Sequence, residues 1–202
     1  MLNDTQIDHY HEHGYVIPDF QMPESVLNRV KERHAALVKR RPDFRNYCPA
    51  LLDQDEAFAE ICDNAVILDM VAQLIGQDIA LWNSSFFAKP ASNGQRTPWH
   101  QDGKFWPIRP LATCTAWLAV DDATIENGCL RIIRGSHKDR AIKAHNALNK
   151  DADVTLFEEL DPSTYDEADA VDLVLKAGQI SLHDVFLLHG SEANTSPNPR
   201  RG

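Results

Sequence analysis

The sequence predicts a mainly β fold with N-terminal helices, a double-sheet core buttressed by helical segments. Three observations carry that reading. Apolar residues recur with a helical period as far as Gly76, and after Asp78 they alternate as in strands. Two half-sites of metal-ligand character, His100-Gln101-Asp102 and His189, then fall on strand candidates far apart in the chain. One domain over residues 1–202 is expected, with 1–76 the mostly helical buttress and 77–202 the β core.

Taken in order, Asn3, Asp4 or Thr5 caps a short helix carrying Ile7 and Tyr10 on one side, and Gly14 suits its left-handed stop. Tyr15-Val16-Ile17-Pro18 reads as a strand. His9, His11 and His13 resemble a metal tract, but a helical spacing of two turns them to different faces, so they are read as solvated. Pro23 and Glu24 open a second helix with a stripe of Val26, Leu27, Val30, Leu37 and Val38, while Arg29, Lys31, Glu32, Arg33 and Lys39 face water. From Asp55 to Gly76 the pattern is again helical, burying Phe58, Ile61, Cys62, Ile67, Leu68, Val71, Leu74 and Ile75.

A strand is then expected from Ile79 to Phe87, one face of which carries Asn83 and Ser85. The loop from Ser92 to Pro98 leads into a strand holding His100 and Asp102, and another strand runs from Thr113 to Val120. Glu126-Asn127-Gly128-Cys129 is a tight turn before a short strand, Leu130 to Ile133. The polar stretch 138–169 lacks periodicity and reads as a surface excursion over one end of the core, a position suited to a lid. Val171 to Leu175, Gln179 to His183 and Val185 to Leu188 are the last strand candidates.

Composition narrows the function classes. With 43% hydrophobic and 25% charged residues the chain has the make-up of an ordinary soluble globular protein, and no apolar run approaches a membrane span. The first residues offer neither a basic leader nor an apolar segment, so a cytoplasmic location is expected. A net charge of −10 opposes binding to nucleic acid or anionic membranes and leaves a small-molecule substrate as the expected partner. Cys48, Cys62, Cys114 and Cys129 form no C-x-x-C and are expected to be reduced and structural.

The chemistry centres on His100 and Asp102. Residues two apart in an extended strand share a face, so this imidazole and carboxylate can grip one ion while Gln101 points away. With His189 they make two histidines and a carboxylate, a set that occupies one face of an octahedron and leaves three positions open, as in non-haem Fe(II) oxygenases. On its own the His-x-Asp pair also reads as a hydrogen-bonded surface pair beside Lys104. The same ligands would serve a metal-dependent hydrolase, and a catalytically silent jelly-roll that binds a metabolite is a reading of another class. His183, six residues before His189, is read as structural. Lys89 and Arg109 are candidates to attract an anionic substrate, against the ordinary expectation of solvated cations, and Phe105 and Trp106 either line a substrate mouth or pack.

The order and spacing of several short motifs resemble the phytanoyl-CoA dioxygenase family of Fe(II)/2-oxoglutarate-dependent oxygenases over most of the chain. These motifs are Pro98-Trp99-His100-Gln101-Asp102, Phe105-Trp106-Pro107, Arg109-Pro110, Ala116-Trp117, Asn127-Gly128-Cys129-Leu130, Gly135-Ser136-His137-Lys138, and His189-Gly190-Ser191 with Arg200 eleven residues after His189. The resemblance implies a double-stranded β-helix, the cupin-like jelly-roll, with Fe(II) held by His100, Asp102 and His189. It implies 2-oxoglutarate and O2 as cosubstrates, with decarboxylation to succinate coupled to hydroxylation of an unactivated C–H bond. Arg200 matches the arginine that pairs with the distal carboxylate of 2-oxoglutarate, a task suited to a planar bidentate fork. Ser191 and Trp117 match positions that seat the same molecule, Ser85 matches a further contact position where the family's residue type differs, and Asn83 lies within reach of cosubstrate or substrate. A carboxylate at Asp102, where related halogenases carry a small residue, implies hydroxylation. The family continues after the arginine with another strand, whereas two residues follow Arg200 here, so either the final strand is missing from this sequence or the side chain is loosely held. No motif selects a substrate, and the 138–169 excursion is where that choice is expected to lie.

Overall fold

A computed structural model describes residues 1–202. Helix α1 (Asp4–His13) is closed at both ends by its own sequence: Asn3 and Gln6 exchange a reciprocal capping box, and Gly14 at φ 84° ends it. After β1 (Tyr15–Val16), α2 (Glu24–Arg40) buries Leu27, Val30, His34 and Leu37, so a histidine joins the expected stripe. The single helical stretch expected over 55–76 is broken. Following β2 (Tyr47–Cys48) come α3 (Leu51–Gln54), a 3-10 turn at Glu56–Phe58, α4 (Ala59–Cys62) and α5 (Ala65–Ile75). The cause is Asn64, whose side chain accepts from Val66 N and Ile67 N and starts a new helix there. That restart leaves Leu68 exposed rather than buried.

The strands form two layers. One contains β1, β10 (Ile180–Asp184) and β5 (Cys114–Leu118) in that order, all antiparallel. Beside it run β12 (Arg200–Arg201), β3 (Phe86–Lys89) and β2. Val120 N donates to Arg201 O at 2.9 Å, which seats β12 along the continuation of β5. The other layer has the order β4 (Thr97–His100), β11 (His189–Ser191), β6 (Leu130–Ile133) and β9 (Ala170–Leu173). Together they make a jelly-roll core. The helices pack against its first layer, where Leu27, Ile67, Met70 and Leu74 meet Ile180 and Leu182. No helix is long and apolar enough to cross a membrane.

Three strand expectations are corrected. Residues 77–85 are not a strand: the ladder begins only at Phe86, and Leu81 and Trp82 are exposed. Polar groups there bond outside any ladder, with Ser84 accepting from Leu51 N through its carbonyl and from Leu52 N through its hydroxyl, and Asn83 Nδ2 reaching Ser85 Oγ. Val185 to Leu188, a buried apolar run, is a turn held by Asp184, which accepts from Phe186 N through its side chain and from Leu187 N through its carbonyl. The strand bearing His100 stops at that residue, and Asp102 opens a 3-10 turn, Asp102–Lys104. Within the excursion, β7 (His145–Ala147) and β8 (Glu158–Leu160) pair as a hairpin, and Thr155 N donates to Arg96 O just ahead of β4.

Candidate metal centre

His100 and His189 are register partners across the β4–β11 pair. Opposed residues of an antiparallel ladder share a face, so the two rings meet with centroids 4.1 Å apart. Gln101 keeps extended dihedrals (φ −121°, ψ 131°), which preserves the alternation for one more residue and returns Asp102 to the same side although the ladder has ended. Gln101 points the other way and is fully buried, donating to Ala141 O and Phe186 O and accepting from Lys143 N, so it fastens the excursion to the metal strand.

The donor atoms of His100, Asp102 and His189 lie within 4.8 Å of one another. Each ring's Nδ1 faces the carbonyl two residues earlier, Pro98 O at 2.8 Å for His100 and Leu187 O at 2.9 Å for His189. A carbonyl only accepts, so Nδ1 carries a proton in each ring and Nε2 is the nitrogen turned inward. Both Nε2 atoms stand 3.6 Å from Asp102 Oδ1. Burial, reinforced by His100, takes the His189 imidazole down to about 3. Burial alone would push the Asp102 carboxyl up, but His189, His100 and His183 outweigh it and hold it well below the usual carboxylate range. The result is a buried carboxylate oxygen and two imidazole nitrogens gathered on one point, with nothing else of the protein between them. A divalent cation fits that point, and an N,N,O set with open positions suits Fe(II).

The other oxygen of Asp102 has different neighbours. Thr115 Oγ1 donates to Oδ2 at 2.7 Å, and His183 Nε2 lies 3.4 Å from the same atom. Reasoning from the sequence passed over Thr115, although its spacing of two from Trp117 placed both on the inward face of one strand.

Of the two alternatives for Arg200, the loose one does not hold: the residue is 2% exposed and firmly held. Its strand pairs with β3, and the guanidinium donates from Nε and Nη2 to Gly128 O (3.0 and 2.9 Å), from Nη1 to Phe87 O (3.3 Å) and from Nη2 to Ser191 Oγ (3.2 Å). Its Cζ stands 5.3 Å from the Trp117 ring centroid, so the structure brings Arg200, Ser191 and Trp117 together. Gly128 makes this possible: it sits at φ 78°, and a Cβ there would meet Glu192 O at 2.3 Å.

The remaining candidates divide. Ser85 Oγ accepts from Asn83 Nδ2 at 3.4 Å, and Asn83 itself is exposed. Lys89 does not face solvent; it is 1% exposed, donates to Gln95 O, and burial with Arg200 beside it takes its amine down to about 6. Arg109 is spent on backbone carbonyls of Trp106 and Ile108. Phe105 stands edge-on to His100 and also to His145 of the β7–β8 hairpin. His145 Nδ1 faces Lys143 O at 2.9 Å, the same arrangement as in the two histidines of the centre.

The fold and the site define a class: a jelly-roll protein with a buried face of two histidines and one carboxylate, and an arginine beside it. The chain belongs to the phytanoyl-CoA dioxygenase (PhyH) family, whose model matches residues 10–202. It is 33% identical over 165 residues to a phytanoyl-CoA dioxygenase domain-containing protein 1 homolog of Dictyostelium discoideum, covering 81% of this chain and 59% of that protein. It is 30% identical over 150 residues to a probable alpha-ketoglutarate-dependent hypophosphite dioxygenase of Stutzerimonas stutzeri, covering 72% and 51%. Among solved structures, the apo form of the non-haem monooxygenase ThoJ superposes with a TM-score of 0.77 at 26% identity over 97% of this chain and 74% of that one. The chain thus spans between half and three-fifths of the length of these two curated relatives.

Proposed function

We propose that this protein is an Fe(II)- and 2-oxoglutarate-dependent dioxygenase that hydroxylates an unactivated C–H bond of a small molecule. The observation that carries the reading is the bond between Arg200 and Ser191. Ser191 lies two residues beyond His189 on β11, a Cα spacing of about 6–7 Å in an extended strand, so the side chain that meets the guanidinium rises from the same short strand as the metal-facing imidazole. His100, Asp102 and His189 would hold Fe(II), and Arg200 with Ser191 would receive the distal carboxylate. When bound, Fe(II) with 2-oxoglutarate and O2 supplies oxidative decarboxylation to succinate and CO2 coupled to hydroxylation.

The chain's own contributions are fixed by its residues. The carbonyls of Pro98 and Leu187 hold both ligand imidazoles in the Nε2-accepting tautomer before any metal arrives. Arg200 stays a cation in spite of burial, which takes it down only to about 10, and can neutralise an incoming carboxylate. Phe105, His145 and the β7–β8 hairpin flank His100 and supply the wall against which a substrate is positioned and water is excluded.

The test is Fe(II)-dependent conversion of 2-oxoglutarate to succinate, lost in His100→Ala and Asp102→Ala. Unchanged turnover in either variant would sink the assignment. A hydrolase on the same ligands would leave 2-oxoglutarate unconsumed, and a silent binder would take it up without releasing succinate.

A further inference from the structure

The two oxygens of Asp102 are treated differently by the protein. Oδ1 faces the Nε2 atoms of His100 and His189, while Oδ2 faces Thr115 Oγ1 at 2.7 Å and His183 Nε2 at 3.4 Å. Thr115 and His183 are direct register partners across the β5–β10 pair, so their side chains rise side by side from one ladder in the layer opposite the metal strands. His183 is 1% exposed, and neither ring nitrogen has a hydrogen-bond partner; a buried imidazole left in that state is destabilising unless something uses it. The atom it approaches is the carboxylate oxygen that the other two histidines do not face.

We infer that Thr115 and His183 form a cross-strand clamp that positions Asp102. The Thr115 hydroxyl donates to Oδ2, a His183 Nε2–H directed at the same atom from 3.4 Å backs it, and together they hold Oδ2 out of the metal position, so that Asp102 offers a single oxygen. The consequence concerns the number of open sites. A carboxylate free to rotate can present both oxygens to a cation and occupy a position that cosubstrate or O2 needs; one pinned at Oδ2 cannot. The clamp assigns His183 the tautomer opposite to that of His100 and His189, which donate from Nδ1 to carbonyls of their own strands and keep Nε2 free. Three neighbouring imidazoles thus divide into two metal-facing acceptors and one carboxylate-facing donor. Tyr15, the register partner of His183 on the other side, belongs to an apolar cluster with Leu130, Ile132 and Leu187, so the strand under the clamp is braced by packing.

The inference rests on His100, Asp102 and His189 as the metal set, and its test is kept apart from turnover. Co(II) is titrated into the metal-free protein by calorimetry, and the visible spectrum of the Co(II) form is recorded as a report of coordination number. Thr115→Val keeps shape and removes the donor; His183→Leu does the same for the second partner. Each is expected to weaken Co(II) binding about 10- to 100-fold and to change the spectrum, as loss of groups that orient a ligand typically does. Thr115→Ser and His183→Gln retain a donor and are expected to restore the wild-type affinity and spectrum, a rescue that a purely structural role would not follow. Thermal melting of the metal-free variants separates misfolding from loss of the clamp. If Thr115→Val does not fold, the Ser and Gln variants and His183→Leu decide. Wild-type affinity and spectrum in a folded Thr115→Val or His183→Leu protein would overturn the clamp. So would equal loss in His183→Gln and His183→Leu with Thr115→Val unaffected, which would make His183 a metal ligand. Tight Co(II) binding in a wild type that leaves 2-oxoglutarate unconsumed would defeat the proposed reaction and leave the clamp standing.

Discussion

Two buried regions share strand β11 and handle charge in opposite ways. Around His189, burial strips the proton from its imidazole while the neighbouring Asp102 carboxylate stays ionised. Around Arg200, the register partner Lys89 is driven down to about 6 while the guanidinium stays near 10. Arg200 and Lys89 are equally buried, yet the outcomes differ. A guanidinium starts higher, spreads its charge and here spends its donors on Gly128 O, Phe87 O and Ser191 Oγ, whereas the lysine amine has a single carbonyl, Gln95 O. The comparison teaches that the pocket carries one anion at the metal end and one lasting cation at the other. A dicarboxylate that donates electron pairs to a metal at one end and a salt bridge to Arg200 at the other matches that polarity.

The sharpest way to break this comparison is Arg200→Met. Removing the lasting cation is expected to cost at least about 2 kcal/mol in 2-oxoglutarate binding, roughly a 30-fold rise in Kd, with Co(II) affinity unchanged. Calorimetric titration of each ligand separately checks both halves, and a parallel loss of metal affinity would show that the two regions are not independent. Arg200→Lys is expected to behave like the methionine variant, because an ammonium in that position meets the same burial that takes Lys89 to about 6.

Much of this arrangement was legible in the sequence, and the reasons are particular. The alternation rule placed His100 and Asp102 on one face because Gln101 is extended even though the ladder has stopped. Asn3 and Gly14 marked the ends of the first helix because capping is local chemistry. What was missed needed tertiary information. The turn at Val185–Leu188 has the composition of a strand and differs only through the bonds of Asp184. Asn83 and Ser85 alternate correctly, but between them Ser84 turns its carbonyl to Leu51 N and its hydroxyl to Leu52 N, and no ladder forms. The firm hold on Arg200 depends on β3 and on a glycine carbonyl distant in sequence, and the approach of Thr115 and His183 to Asp102 depends on a pairing between strands that no spacing reveals.

Lys89 provides a second test, this time through stability. Its amine titrates near 10.5 in the unfolded chain and near 6 in the folded one, so the unfolded chain binds the extra proton between those values. Stability should therefore rise with pH through that window and be lost as pH falls toward 6, with a slope approaching about 1.4 kcal/mol per pH unit. Lys89→Met should flatten that part of a denaturation profile and leave 2-oxoglutarate affinity at pH 7.5 in place, since the amine is neutral there. A large loss of cosubstrate affinity would mean that Lys89 contributes a charge after all, and the contrast with Arg200 would fail.

A further effect, outside both regions, tests whether burial alone produces the pattern. His34 of α2 is 7% exposed, stacks on Phe86 with centroids 4.2 Å apart, and has an Nε2 without a partner. Burial, reinforced by Arg201, takes its imidazole down to about 4 from 6.5, with no metal-facing role to explain the shift. Between those values the unfolded chain carries the proton and the folded chain does not, so this contribution is fully present above pH 6.5 and disappears as pH falls to 4. The loss amounts to about 3 kcal/mol. His34→Phe keeps the stacking surface and removes the titration, so wild type and variant should converge at pH 7 and separate at pH 4.5 in urea denaturation, with the phenylalanine form the more stable. Parallel profiles at the two pH values would show that burial is not what silences this histidine, and the same cause would then be in question for His189.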